Sequence, residues 1–154
     1  MRKSDIDSNF HYFRFEAIID TPHSDENGTN VGYSIPKGII TFDHKGIDRQ
    51  GNMNITSGTF TAPNDGLYLF EIDGHKYPGN LVAEIDVQQN NVLQHKILHL
   101  DDGNVTQIAQ ITSFWTLEMK SGDQVRLVNQ QENSLFIQGN PAYYSFSFTG
   151  LSLT

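Results

Sequence analysis

The chain has 154 residues, no cysteine, 37% hydrophobic and only 18% charged residues, and a formal net charge of −8. This length suits one domain with a buried core, and the absence of cysteine excludes disulfide scaffolds, zinc–thiolate sites and cysteine nucleophiles. An acidic chain without basic clusters is unsuited to nucleic acid, and no apolar stretch approaches the ~20 residues that cross a bilayer, so we predict neither a nucleic-acid partner nor membrane insertion.

Alternation of apolar and polar residues predicts a series of short strands separated by turns, and no segment shows a capped 3.6-residue period. The predicted strands lie near residues 13–19, 39–42, 58–62, 67–72, 81–88, 92–100, 106–119, 125–127 and 144–153. The run at 67–72 is almost continuously apolar, which predicts burial on both faces. After Gly150 the apolar phase shifts by one residue, which predicts a β-bulge. About ten strands with frequent turns favour an antiparallel sandwich or jelly roll.

The segment at residues 42–70 has the most specific pattern in the chain. Pro63 has no backbone N–H to give to a sheet, so a strand is predicted to end there. Pro63, Asn64, Asp65 and Gly66 then place four turn-forming residues together before an aromatic-rich strand.

The spacing of eight residues in and just beyond this segment resembles the signature of the C1q domain family. They are Phe42, Asp48, Met53, Phe60, Gly66, Tyr68, Phe70 and Ile72. Met53 and Ile72 stand where the family usually has other large side chains, and both remain bulky and apolar. The turn at 121–125 and the strand at 148–153 are similar to later family motifs. The resemblance therefore covers a globular domain at 12–154, after an N-terminal extension at 1–11 and without a collagen-like repeat.

The resemblance implies a ten-stranded antiparallel jelly-roll β-sandwich, related to the tumour necrosis factor fold, and a secreted homotrimer. It implies binding without catalysis: multivalent recognition of glycan, microbial or protein ligands, as in innate immune pattern recognition. The alternative is a secreted cytokine-like or synaptic-type ligand for a protein receptor. The sequence does not identify the ligand residues, but polar loops at 21–32, 75–80, 101–107 and 130–140 are the expected place for specificity.

No hydrolase, metalloprotease, P-loop or dinucleotide motif is present. His95 and His99 are four residues apart in a predicted strand and could share a face, but we interpret them as exposed structural histidines. Asn-x-Ser/Thr sequons begin at Asn27, Asn54 and Asn104, whereas roughly two would arise by chance in such a chain.

The candidate cation site is the acidic turn containing Asp101 and Asp102. Calcium prefers several carboxylate and carbonyl oxygens, and the resemblance implies a calcium-binding loop in this region in some relatives. Ala109 stands where those relatives supply a further aspartate. An ordinary solvated Asp-Gly turn is the alternative, and no other cofactor is predicted.

If Asp101 and Asp102 bind calcium, chelation will lower the melting temperature, because a ligand that binds only the folded state stabilises it. The double substitution Asp101→Asn with Asp102→Asn is expected to abolish that response. Melting curves in chelator and in millimolar calcium test this, and superimposable curves for the unmodified chain would identify a plain turn.

Overall fold

The computed structural model describes residues 14–19, 23–24, 27, 30–31, 33–48, 51–76, 82–100, 109–132, 134–137 and 145–153. These residues contain fifteen strands and no helix, and therefore no helix long and apolar enough to span a membrane. In chain order the strands are β1 (Arg14–Ile19), β2 (His23–Ser24), β3 (Asn30–Val31), β4 (Tyr33–Ser34), β5 (Gly38–Ile39), β6 (His44–Asp48), β7 (Met53–Asn54), β8 (Thr59–Thr61), β9 (Gly66–Lys76), β10 (Val82–Gln89), β11 (Val92–Leu100), β12 (Ala109–Met119), β13 (Gln124–Asn129), β14 (Phe136–Ile137) and β15 (Phe146–Ser152).

Two antiparallel sheets form the body of the fold. Sheet A has the order β12-β9-β15-β1-β6, and sheet B has the order β11-β10-β13-β8-β7, with β5 also pairing to β13. Two short pairs, β14 with β4 and β2 with β3, lie apart from these sheets. The all-β antiparallel sandwich is confirmed. More strands are present than the ten predicted, because turn-rich links contain short segments, six of them only two residues long.

Aromatic rings fill the space between the sheets. Phe15, Phe70 and Phe148 point inward from sheet A, and Phe60 points inward from sheet B; all four are fully buried. The Phe15 ring centroid lies 4.9 Å from that of Phe60 and 5.0 Å from that of Phe148. Trp115 extends the cluster, with its ring 5.9 Å from Phe70. These contacts join the two sheets directly through large apolar surfaces.

Gly150 does not form the predicted bulge. Strand β15 keeps unbroken register with both neighbours, and Gly150 lies opposite Phe15 on one side and Phe70 on the other. A Cβ atom at position 150 would lie 2.3 Å from Phe15 Cε1 and 3.0 Å from Phe70 Cδ1. Position 150 therefore belongs to the inward face, and it is glycine because two aromatic rings occupy the space of a side chain.

Two turns at one end of the sandwich are joined by hydrogen bonds. The Asp123 carboxylate accepts hydrogen bonds from Asn90 Nδ2 at 2.9 Å and from the backbone N–H of Lys120 at 2.8 Å. These hydrogen bonds hold the pKa of the Asp123 carboxyl below its usual value, and the bond from Asn90 has the largest effect. A hairpin turn joins the strands predicted at 81–88 and 92–100: Asn90 and Asn91 have φ of 51° and 68° and connect β10 to β11.

We predict that Gly150→Ala destabilises the domain by about 1–3 kcal/mol, because the added methyl group overpacks the Phe15 and Phe70 rings. Thr149→Ala is the matched control, since Thr149 is the adjacent residue on the outer face of β15. Urea unfolding of both variants measures the difference. Equal midpoints for the two variants would contradict the packing role assigned to Gly150.

Candidate functional site

The apolar residues of the C1q-like signature lie in the core. Their exposed fractions range from 0% to 7%. The residues concerned are Phe42, Met53, Phe60, Tyr68, Phe70 and Ile72. The signature therefore maintains the contact between the two sheets.

Asp48 stabilises the turn between β6 and β7. Its carboxylate accepts hydrogen bonds from the backbone N–H groups of Asn52 and Met53, each at 3.2 Å. Lys45 Nζ lies 3.2 Å from Asp48 Oδ2, and only 3% of the aspartate side chain is exposed. These partners hold the carboxylate within the turn, so Asp48 has a structural role.

Gly66 and Tyr68 fix the entry to β9. The Tyr68 hydroxyl donates a 2.8 Å hydrogen bond to the carbonyl oxygen of Asn64, and burial raises the pKa of the phenol. Gly66 has a φ of +156°, a value that residues with a Cβ atom rarely adopt. The turn predicted before β9 is therefore held by the backbone conformation of Gly66 and by the hydrogen bond from the buried Tyr68 side chain.

The two candidate histidines are not exposed as expected. His95 and His99 share the inward-facing side of β11 with Ile97, and both are half-buried. The His95 ring stacks on Trp115 at a centroid distance of 5.5 Å, across the gap between the two sheets. His95 is therefore a packing residue at the rim of the core. Within the described ranges, no group of three or more histidine or acidic side chains could hold a metal ion.

Asp101 and Asp102 lie outside the described residues, as do the whole predicted loop at 101–107 and most of the loops at 21–32 and 75–80. His75 is described and belongs to β9 rather than to a loop. Most of the predicted loop at 130–140 is described, and part of it is not a loop: Ser134 and Leu135 are buried, and Phe136 and Ile137 form β14. The calcium site and the ligand loops therefore stay predictions.

The outer face of sheet A is unexpectedly apolar. Strand β9 buries Tyr68, Phe70 and Ile72, whereas Leu67 and Leu69 point to the opposite side and are only half-buried. The predicted burial of both faces is therefore wrong for the isolated chain. The signal was present in the sequence, because apolar residues occupy both phases of this strand.

Neighbouring strands extend the apolar character of this face. Leu69 lies opposite Leu151 of β15 and opposite Thr116 of β12. Phe114, two residues before Thr116 on the same face of β12, lies opposite Glu71 and is 72% exposed. We call Leu67, Leu69, Leu151 and Phe114 the outer apolar patch. It runs from the middle of sheet A to its edge at β12.

A shallow pocket of about 170 Å³ lies within this surface. Its lining includes Leu69 and Leu151 of the outer apolar patch, together with the charged side chains Arg14 and Glu71. Apolar area bordered by opposite charges suits contact with another protein surface, because the charges fix orientation while the apolar groups supply burial.

Comparison with known proteins agrees with this architecture. The globular domain of zebrafish complement 1qA is similar in structure with a TM-score of 0.66, at 15% sequence identity over 92% of this chain and 98% of that one. Murine APRIL has a TM-score of 0.60 at 8% identity, with 92% and 99% covered. Eiger TNF from S. frugiperda has a TM-score of 0.56 at 13% identity, with 93% and 92% covered.

These likenesses at low identity confirm the C1q and tumour necrosis factor jelly-roll fold. No curated protein matches the chain in sequence. A model of the C1q domain, however, matches residues 24–150, which is most of the chain. The chain therefore belongs to the C1q domain family.

Proposed function

We propose that this chain is an extracellular recognition module that assembles as a homotrimer and binds its ligand by several weak contacts at once, without catalysis. Membership of the C1q domain family supports a recognition role. The observation that carries the assembly is the outer apolar patch, which leaves Phe114 72% exposed in the isolated chain.

The position of the patch favours a closed ring. Phe114 lies on β12, the edge strand of sheet A, whereas Leu69 and Leu151 lie nearer the middle of the same face. A contact between the edge of one copy and the middle of the next is heterologous, and such contacts close into a ring when the rotation permits. Burial of a phenylalanine side chain contributes roughly 1.5–3 kcal/mol, and a ring of three repeats that contribution at each interface.

Multivalency is the functional consequence of the ring. Three copies present the same loops in one direction, so individually weak contacts add through effective concentration. Glycans and microbial surfaces repeat their features at close spacing, which suits this mode of binding. The chain's net charge of −8 additionally favours surfaces that carry cationic groups.

The alternative is a cytokine-like or synaptic-type ligand that binds a protein receptor. The likeness to murine APRIL and to Eiger TNF favours this alternative, although at 8% and 13% identity it extends to the fold only. Binding of labelled protein to a glycan array and to whole microbial cells separates the two. Saturable binding to animal cells that protease treatment of the cell surface abolishes, with no glycan or microbial binding, would favour the receptor ligand.

The predicted solution mass is about three times the 17.4 kDa of one chain. Phe114→Asp is expected to shift the mass toward one chain, because a charge would have to be buried at every interface. Ile39→Asp is the control, since Ile39 is an exposed apolar residue of β5, which pairs with sheet B. Light scattering at micromolar concentration measures both, and a monomeric unmodified chain would overturn the proposed assembly.

Binding is predicted to depend on the ring. On any glycan or microbial surface that binds the unmodified protein, the Phe114→Asp variant should bind about 10²–10⁴-fold more weakly, because avidity is lost while each site is intact. A folded, monomeric variant that binds with unchanged affinity would show that one copy suffices.

A further inference from the structure

The edge of sheet B opposite β11 carries a potential modification site. Sheet B ends at β7, and the second residue of that strand, Asn54, begins the sequence Asn54-Ile55-Thr56. An asparagine followed two residues later by threonine is the acceptor pattern for N-linked oligosaccharide. Of the three sequons in the chain, this one lies entirely within the described residues and has its acceptor at a strand end.

The fold presents this acceptor outward. Asn54 and Thr56 are both exposed, whereas Ile55 between them packs partly against the core. The carbonyl oxygen of Ile55 accepts a 2.9 Å hydrogen bond from the backbone N–H of Phe42, which holds the turn against the sandwich. The sequon therefore forms a fixed turn whose first and third side chains face solvent.

The hydrogen bonds of Asn54 leave its amide nitrogen available. The side-chain oxygen of Asn54 accepts the backbone N–H of Ser57 at 3.1 Å, and its backbone oxygen accepts the Ser57 hydroxyl at 3.5 Å. No partner for Asn54 Nδ2 occurs among the described residues. A substituent on this nitrogen would break no bond of the fold, and the Ser57 bond would still orient the amide plane outward.

We propose that Asn54 carries an N-linked oligosaccharide, an inference that rests on the proposed extracellular route. The co-reactant is a lipid diphosphate oligosaccharide. Asn54 Nδ2 forms a bond to C1 of the first sugar, and the bond between C1 and the diphosphate oxygen breaks. The amide loses one proton to a base of the transferase, and the lipid diphosphate departs with the electrons of the broken bond.

This position is compatible with the proposed assembly. The outer apolar patch lies on sheet A and reaches its edge at β12, whereas Asn54 lies on the terminal strand of sheet B.

The test is expression of the full chain behind a cleavable secretion leader in a eukaryotic host. Peptides from the secreted protein are analysed by mass before and after enzymatic removal of N-glycans. We expect the peptide containing residue 54 to carry an oligosaccharide and to show Asp at position 54 after removal. Thr56→Ala should abolish the modification of that peptide, whereas Thr56→Ser should retain it.

An unmodified residue 54 in the folded, secreted chain would overturn the proposal, and so would equal modification in Thr56→Ala. Melting temperatures verify that each variant is folded. Light scattering and ligand binding are measured separately, on the protein before and after deglycosylation. A protein that neither assembles nor binds in either state, with full occupancy at Asn54 before deglycosylation, would count against the proposed function and leave the modification site established.

Discussion

Contact between aromatic rings across the two sheets determines much of the remaining geometry. Phe15 of sheet A packs on Phe60 of sheet B, and Phe70 and Phe148 complete the layer. Two of the inward rings occupy space that a neighbouring glycine leaves free. Gly150 faces Phe15, and Gly74 faces Phe146, with an added Cβ at 74 lying 2.6 Å from the ring. Strand register in sheet A follows from this fit, because a shift of one residue would bring side chains into the rings.

The sequence correctly predicted the elements whose local residue pattern matches their burial in the fold. Six apolar signature residues from Phe42 to Ile72 lie in the core, and the hairpin at Asn90 and Asn91 adopts the backbone that its residues favour. Two of the wrong predictions concerned positions whose environment depends on three-dimensional neighbours. The phase shift after Gly150 reflects apolar residues on the outer face rather than an inserted residue. The half-buried position of His95 depends on Trp115, which is twenty positions away in the chain.

The family signature of this molecule has a structural role. The signature side chains pack in the core or stabilise turns. Asp48, for example, accepts hydrogen bonds from two backbone N–H groups. Proteins that share only 8–15% sequence identity with this chain nevertheless share its fold. From the sequence alone, the ligand-binding site could be predicted only as a set of polar loops. The outer apolar patch emerged from the register of three strands, which no single segment of sequence specifies.

The neighbours of β1 have a consequence for how the chain folds. Strand β1 is paired on one side with β15, so that Arg14 lies opposite Leu151, and the two most distant strands of the described chain meet inside sheet A. Pairing of such distant segments requires closure of a very long loop and is intrinsically slow. The β10–β11 hairpin can form early, but one backbone edge of β1 and one of β9 stay unpaired until β15 joins them. Until β15 pairs with both strands, these edges are open to aggregation.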